Sequence, residues 1–480
     1  MDFGIISKIL GLILIGESIC MTPICFLSAY HNEGYTLSAS LVILFTFVVG
    51  LILLSVKSKT GHVRYREGFM IVTFGWILAS LFGALQFYVS GVFGSFVDCF
   101  FETTSGFTTT GASVMTAIEG QPYGILFWRS FTHWLGGMGI IVFTMAILPM
   151  LGMGTIQMFK AESPGPTPGR LVPRIGQTAK ILYKIYLSIT IAEILLLKIA
   201  GVSWFDSFTH AFATMGTGGF STKNASVGGL ESAVVEWIVI VFMLLAGTNF
   251  ALYYEFIRGK FKTFFKDSEF RFYLSVVLIC VTLVTINIIA FNDYNFKETI
   301  RMASFQVVSI ISTTGFTSVD YSVWPQFSKF IILILMFIGG CAGSTGGSIK
   351  CIRVLLILKY VKRELFKLIH PKSVSPIRLG SVAIPREVMR NVVGLALLFI
   401  FIFIAVSAFL LSQGYDTYTS TSATIACLGN IGPGFSMVGP AMNYAGLNDI
   451  TKLVLSMCMI MGRLEVYTVL VIFIPEFWKR

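Results

Sequence analysis

The alternation of apolar and polar stretches divides the chain into ten long apolar segments with short polar segments between them. A helix that crosses a bilayer needs about 20 predominantly apolar residues, and most of these segments reach that length. The pattern therefore predicts ten transmembrane spans, near residues 4–28, 38–56, 69–92, 125–151, 181–201, 232–257, 271–291, 328–356, 389–412 and 448–475.

Four semi-polar segments, each carrying a glycine, interrupt this pattern between spans. They read FETTSGFTTTGAS (101–113), FDSFTHAFATMGTGGFST (205–222), ETIRMASFQVVSIISTTGFTS (298–318) and DTYTSTSATIACLGNIGPGFS (416–436). They align on Gly111, Gly219, Gly315 and Gly432. Each glycine follows a segment of short-helix length, precedes another span, and is reached from the same side of the membrane. This predicts parallel repeats packed around one axis along the membrane normal.

The predicted fold is therefore an all-α polytopic membrane protein. Four span–pore-helix–filter–span repeats surround a pseudo-fourfold axis, and two extra N-terminal spans lie outside them. The expected units are the N-terminal spans (1–60) and repeats 1 to 4 (61–160, 175–266, 267–370 and 385–480). We call the glycine-bearing segments 108–113, 216–221, 312–317 and 429–434 strips 1 to 4.

Irregular backbone at membrane depth is tolerated only where it is buried in protein or lines a water-filled cavity. Four strips around one axis would turn their carbonyl oxygens toward a common path and replace the hydration shell of a cation. The preceding segments, 96–106, 204–215, 299–311 and 416–427, are expected to be short helices whose C-termini favour a cation. Asp98 and Asp206 should lie at the N-termini of the first two helices and cap free amides there. At any single strip, glycine that merely permits helix packing is an open alternative.

Composition and charge agree with a membrane protein. The chain is 55% hydrophobic and 12% charged, whereas soluble proteins carry about 25% charged residues. Most basic residues cluster in alternate loops, at 57–66, 160–184, 258–271, 350–390 and 479–480. This positive-inside pattern predicts cytoplasmic termini and argues against nucleic-acid binding, although a site for an acidic partner is a second interpretation. The Pro/Gly linker 162–174 and the basic segment 359–390 are the expected docking surface for a regulatory subunit.

Enzyme and metal chemistry find little support in the sequence. The eight cysteines form no CxxC pair, which argues neither for a zinc site nor for a disulfide framework. HExxH and GxSxG motifs are absent, and no paired aspartates lie inside spans. Arg129 and His133 share a helix face near the outer mouth, where a single histidine is usually structural. The first apolar segment is too long for a cleaved signal peptide, so it is expected to be a span.

The eighth predicted span contains FIGGCAGSTGGSIK (337–350), whose five glycines weaken a helix by about 1 kcal/mol each. We expect a loop at 339–347 beneath strip 3, with a packing kink as the alternative. A phosphate-binding loop is excluded because glycine occupies position 347, where lysine is required. Arg463 lies within the last span, where a charge usually faces the protein interior and is functional. Glu465, two residues later, does not share its face; Lys350 is a second pore-facing cation or the start of the basic loop.

The motifs TTTGAS, GTGGFST, STTGFTS and GNIGPGF, each after a pore-helix-like segment, resemble the selectivity filters of the Trk/Ktr/HKT superfamily of potassium transporters. The resemblance covers almost the whole chain, and the extra N-terminal spans are similar to those of the TrkH type of membrane subunit. It implies potassium permeation, a homodimer in the inner cell membrane, and a cytosolic nucleotide-binding regulatory subunit, TrkA in that type. No organic cofactor is expected in this chain. The alternative function is a potassium symporter coupled to protons or sodium, although the strips contain no ionisable residue.

The resemblance also implies roles for single residues. Glycine at all four aligned positions favours potassium over sodium, while the fourth strip departs from the threonine pattern. The gate is expected at the intramembrane loop with the arginine beneath it, that is, at Gly339, Gly340, Gly343, Ser344, Thr345, Gly346, Gly347 and Arg463. The ion-coordinating carbonyls are expected from Thr109, Thr110, Gly111, Thr217, Gly218, Gly219, Thr313, Thr314, Gly315, Asn430, Ile431 and Gly432.

Overall fold

A computed structural model describes residues 1–58, 63–142, 175–291, 295–373, 375–380 and 382–479. The linker 162–174 and the end of the fourth predicted span, 143–151, lie outside the described residues. The helices are α1 (Phe3–Tyr30), α2 (Thr36–Ser55), α3 (Tyr65–Val89), α4 (Phe96–Phe107), α5 (Tyr123–Val142), α6 (Ile175–Ile199), α7 (Trp204–Gly216), α8 (Ala233–Ala246), α9 (Phe250–Ile257), α10 (Phe261–Lys266), α11 (Ser268–Phe291), α12 (Phe296–Ile311), α13 (Gln326–Leu335), α14 (Cys351–Ile369), α15 (Arg386–Ser412), α16 (Thr417–Leu428), α17 (Asp449–Arg463), α18 (Val466–Leu470) and α19 (Pro475–Trp478).

Short strands accompany the helices at two places. β1 (Ile338–Gly339) pairs in parallel with β2 (Ile349–Lys350), so the segment between them leaves and returns at one point. β3 (Arg378–Leu379) and β4 (Val382–Ala383) form an antiparallel pair. Apolar side chains from this pair pack with α14 and α15 in a small core of their own.

Length and composition identify the membrane spans. Helices α1, α2, α3, α11 and α15 are each long and apolar enough to cross a bilayer, and two bent helix pairs bring the number to seven within the described residues. These spans make the chain a multi-pass membrane protein.

Two of the predicted spans, 232–257 and 448–475, are broken, each at a sharp bend. In the span 232–257, α8 and α9 meet at 94°, where Asn249 begins α9 by accepting the Ala251 N–H at 2.9 Å. In the span 448–475, α17 and the segment after it meet at 116°. Glu465 stands at that bend with a φ of 61°, which a continuing helix does not allow. Asn249 thus provides a new helix start, which hydropathy alone does not detect.

The four short helices α4, α7, α12 and α16 start and end close to the predicted bounds. Their N-caps are Ser95, Ser203, Asn295 and Asp416, whose side chains accept N–H groups of the first turn. Asp98 and Asp206 do lie in the first turns, but they are not the caps. Asp98 pairs with Lys452 at 2.6 Å, and Asp206 accepts hydroxyl groups.

The helices that follow strips 1, 2 and 4 each pack against the short helix of another repeat. α5 packs on α7, α8 packs on α12, and α17 packs on α4, so the fourth repeat meets the first. The N-terminal helices α1 and α2 pack on each other through Gly11 and Gly50, where a Cβ would overlap the facing backbone. Helix α1 also contacts α3 and α5, which places this pair outside the ring.

Candidate functional site: four strips and the loop beneath them

Each strip begins with one backbone turn, built at the end of its short helix. Residues Thr109, Thr217, Thr313 and Asn430 lie in the left-handed region, with φ of 54°, 56°, 59° and 53°. In strip 1 the Thr110 N–H bonds the Ser105 carbonyl at 2.8 Å, and the Thr109 N–H bonds Gly106 at 3.0 Å. The same two bonds recur in the other three strips. They form a Schellman cap, which ends each helix and turns the chain sharply.

Three of these left-handed residues are threonines, which is a strained choice. A β-branched residue at positive φ is rare, because its Cβ crowds the backbone. Such a residue costs about 1–3 kcal/mol and is found mainly where function requires it. Asparagine, at the fourth position, tolerates this conformation better. The strain therefore marks the strips as a site rather than as ordinary turns.

The four strips contact one another in a closed ring. A Cβ added to Gly111 would overlap the carbonyl oxygen of Gly218, and one added to Gly219 would overlap that of Thr314. The same relation joins Gly315 to Ile431, and Gly432 back to the Thr110 oxygen of strip 1. These glycines have φ of 80°, 77°, 78° and 96°. Each strip thus touches the next through a glycine that no other residue type could replace without displacing a main-chain oxygen.

The middle carbonyl groups of the strips are buried and receive no hydrogen bond from the described part of the chain. They belong to Thr110, Gly218, Thr314 and Ile431. A buried peptide oxygen without a partner is rare and unfavourable. Each of the four lies at the contact between neighbouring strips, and carbonyl oxygens arranged in a ring are groups that can replace the hydration shell of a cation. A cavity of about 150 Å³ adjoins the ring and is lined by all four aligned glycines.

A buried ion pair supports strips 1 and 2. Arg129 Nε lies 2.6 Å from Glu102 Oε1, and both side chains are buried. The guanidinium also donates to the Ser221 carbonyl oxygen at 2.8 Å and to Ser113 Oγ at 3.0 Å. The sequence placed Arg129 near the outer mouth but gave it no partner. Its signal was Glu102, an acid inside a strip-bearing segment, and the pairing itself required the fold.

His133 has a packing role. Its ring stacks on Phe220 with centroids 4.1 Å apart and fills the space beside Gly216 and Gly218. Among the described residues, no group of three His, Cys, Asp or Glu side chains could hold a metal ion.

Strip 4 is held differently from the first three strips. The Asn430 side-chain amide donates to Thr110 Oγ1 at 3.0 Å and to the Met459 carbonyl oxygen at 2.9 Å. The Tyr444 hydroxyl donates to the Gly432 carbonyl oxygen at 2.7 Å. The amide thus joins strip 4 to strip 1 and to α17, which a threonine side chain is too short to do.

The segment 339–347 lies directly beneath strips 3 and 4. Helix α13 ends at Leu335 and α14 begins at Cys351, so the glycine-rich sequence is not helical. The Gly347 N–H donates to Thr313 Oγ1 at 2.6 Å. A Cβ on Gly346 would lie 3.0 Å from the Ser312 carbonyl oxygen, and one on Gly347 would overlap that of Gly429. Glycine therefore allows the loop to approach the ends of both short helices.

The same loop explains why the span of repeat 2 is broken. The Cys341 N–H donates to the Gly247 carbonyl oxygen at 2.8 Å, and Thr345 Oγ1 donates to that of Ala246 at 3.2 Å. Beyond the break, the Phe250 N–H donates to the Gly343 carbonyl oxygen at 3.1 Å. Main-chain groups released at the end of α8 and the start of α9 are thus satisfied by the loop, as membrane-embedded backbone requires.

Arg463 is the last residue of α17 and only 3% exposed. Its guanidinium donates to the Thr345 carbonyl oxygen at 2.5 Å and to that of Gly136 at 3.1 Å. It therefore holds the loop to the helix of repeat 1. Glu465 does not neutralise Arg463 but pairs with Arg353 at 2.6 Å.

Two further polar side chains hold the loop. Lys350, for which the sequence allows a pore-facing or a cytoplasmic position, donates to the Gly346 carbonyl oxygen. It lines a cavity of about 30 Å³ together with Arg463 and Glu465. Glu269, which the sequence analysis did not select, accepts the Ala342 N–H at 2.7 Å and the Ile352 N–H at 3.0 Å with one oxygen.

The ring of four short helices, each ending in a left-handed turn inside a bundle of spans, defines a membrane protein of the span–pore-helix–span class. The comparisons with known proteins specify the family. Residues 38–480 match the family model described as TrkH, cation transport protein. The chain belongs to this family, which confirms the resemblance seen in the sequence.

Relatives of similar length extend over the whole chain. The Trk system potassium uptake protein TrkH of Salmonella typhimurium is 39% identical over 100% of both chains. The TrkH protein of Halomonas elongata is 37% identical, again over 100% of both chains. The crystal structure of the potassium transporter TrkH from Vibrio parahaemolyticus superposes with a TM-score of 0.92, at 35% identity and full coverage of both chains.

Proposed function

We propose that this protein conducts potassium ions into the cell through a pore on the axis of the four strips. The ring of buried, donor-free carbonyl oxygens carries the proposal, because such oxygens replace the hydration water of a cation. Relatives across the full length are named potassium uptake proteins. In this proposal the coordinating oxygens belong to the twelve filter residues predicted from the sequence, of which the Gly432 oxygen also accepts the Tyr444 hydroxyl.

The loop 339–347 is the proposed gate. It lies against the ends of α12 and α16, on the side of the strips opposite the 150 Å³ cavity. Arg463 beneath the strips adds a positive charge that opposes cation passage and holds the loop in place through the Thr345 carbonyl oxygen. Displacement of the loop would then open the path without altering the strips.

The setting of the pore is proposed from the charge pattern. The positive-inside pattern of the basic clusters supports a cytoplasmic position for both termini and α14. The 150 Å³ cavity then faces the outer side of the inner cell membrane. Helix α14 carries exposed apolar side chains among basic residues. Leu365 is 58% exposed and Leu368 is 78% exposed. This face, with segment 359–390, is the proposed contact for a TrkA-like nucleotide-binding subunit. The chain is proposed to act as a homodimer.

Flux through purified protein tests the proposal and separates it from coupled transport. Protein in liposomes with a potassium gradient, but without a proton or sodium gradient, should carry potassium flux that follows the imposed voltage. Empty liposomes supply the baseline. Flux that appears only with a proton or sodium gradient would favour the symporter and overturn the pore.

A further inference from the structure

The short helices carry polar side chains at one repeated position, nine residues before the aligned glycine. Glu102, His210 and Gln306 occupy it in repeats 1 to 3, and Ala423 in repeat 4. His210 Nε2 lies 2.9 Å from Ser221 Oγ. Position for position, the first three side chains bond the part of their own strip just beyond the glycine. In repeats 1 to 3, the short helix thus helps to fix the course of the chain beyond the aligned glycine.

Repeat 1 alone has a charge at this position, and the charge is shared with the next repeat. Glu102 accepts Ser113 Oγ and the Val114 N–H, both at 2.9 Å, and both from strip 1 or its continuation. Arg129 bonds the same carboxylate and also the carbonyl oxygen of Ser221 in strip 2. The two side chains therefore connect one strip to its neighbour.

Aromatic packing also orients the Arg129 guanidinium that makes this connection. The Arg129 guanidinium lies 3.8 Å from the centre of the Phe220 ring, and Phe220 follows Gly219 directly. A guanidinium holds a carboxylate, a carbonyl oxygen and a hydroxyl group in one rigid planar arrangement, whereas an ammonium group offers three rotatable donors on a flexible stem. These buried bonds add a side-chain connection between strips 1 and 2 to the direct contact of Gly111 with the Gly218 carbonyl oxygen.

We propose that Glu102 and Arg129 are a positioning pair that determines ion selectivity by fixing the separation of strips 1 and 2. Neither residue contributes a main-chain oxygen to the ion path. Both act indirectly, through their bonds to Ser113 and Ser221. The inference rests on the proposed function, since it assigns the pair a role in the selectivity of that pore.

The test measures the potassium-to-sodium permeability ratio of the purified full-length protein from reversal potentials. Arg129→Gln should lower the ratio about tenfold, the change that corresponds to one lost hydrogen bond to a charged group. Glu102→Gln should lower it less, since an amide oxygen can still accept from Val114. Arg129→Lys keeps the charge and should give an intermediate ratio, because it cannot reach Glu102 and Ser221 together.

Arg301→Gln is the matched control. Arg301 in α12 pairs with Glu236 in α8 at 3.0 Å, so the change also removes an ion pair, but not one that touches a strip. Its permeability ratio should equal that of the wild type, even if its melting temperature falls. A merely structural Arg129 would behave in the same way, with a lower melting temperature and an unchanged ratio, and that result would overturn the inference.

The outcomes keep the two proposals apart. If the wild type itself does not prefer potassium, the proposed function fails. If the wild type is selective and both Arg129 variants keep its ratio, only the positioning role fails. Should Arg129→Gln not fold, Arg129→Lys decides, and an unchanged ratio in that variant contradicts the inference.

Discussion

The strips and the loop beneath them follow opposite rules of construction. On the strip side, four segments repeat one Schellman turn and one contact between a glycine and the neighbouring carbonyl group. On the loop side, the helices differ: α8 breaks before Asn249, α13 gives way to the loop, and α17 ends at Arg463. In the proposed function, ion coordination uses the symmetry of the repeats, whereas gating uses their divergence.

The largest expected effect concerns the symmetric side. Gly315→Ser introduces a Cβ that would overlap the Ile431 carbonyl oxygen, at a φ of 78° that costs other residues about 1–2 kcal/mol. We expect the potassium-to-sodium permeability ratio to fall tenfold or more, and similar losses from Gly111→Ser and Gly219→Ser. Reversal potentials in mixed salts measure the ratio.

Gly94→Ser serves as the control for these variants, because a Cβ at that exposed position meets nothing within 4 Å. Its ratio should match the wild type. Unchanged reversal potentials in the three strip variants would contradict the claim that the strips are equivalent.

A smaller effect is expected on the asymmetric side. Arg463→Ala removes the bonds to Thr345 and Gly136, each worth about 1.5–3 kcal/mol as a hydrogen bond to a charged group. Potassium flux in liposomes should rise about tenfold while the permeability ratio stays constant. Deletion of 339–347 should also raise the flux. The exposed Arg386→Ala provides a control without an effect. An Arg463→Ala variant with wild-type flux would contradict the gate.

The smallest effect is expected from Glu269→Gln. The amide oxygen can still accept both N–H groups, which bond a single oxygen of Glu269, but without the negative charge the bonds to Ala342 and Ile352 weaken by about 1 kcal/mol. Flux should therefore rise about two- to fivefold, less than with Arg463→Ala. Glu387→Gln, at an exposed position of α15, should leave flux unchanged. A larger increase from Glu269→Gln than from Arg463→Ala would reverse the assigned order of the two contacts.

The repeated features were accessible from the sequence, since four copies of a weak signal reinforce one another. The short helices and the residues of each turn were predicted closely for this reason. Features that occur only once are harder to predict. The glycines of 339–347 indicate a loop. The bend at Asn249 depends on hydrogen bonds between its main-chain groups and that loop, so only the fold reveals it. The partners of Arg129 and Glu269 lie in distant segments, so no local sequence pattern predicts them.

Ion density among the strips tests the central claim most directly. The purified protein should be imaged at high resolution in potassium and, separately, in sodium alone, with rubidium as an anomalous marker for potassium. The account predicts potassium and rubidium density on the axis, within coordinating distance of the Thr110, Gly218, Thr314 and Ile431 carbonyl oxygens. An axis without such density in saturating potassium, with the four strips in the described conformation, would contradict it.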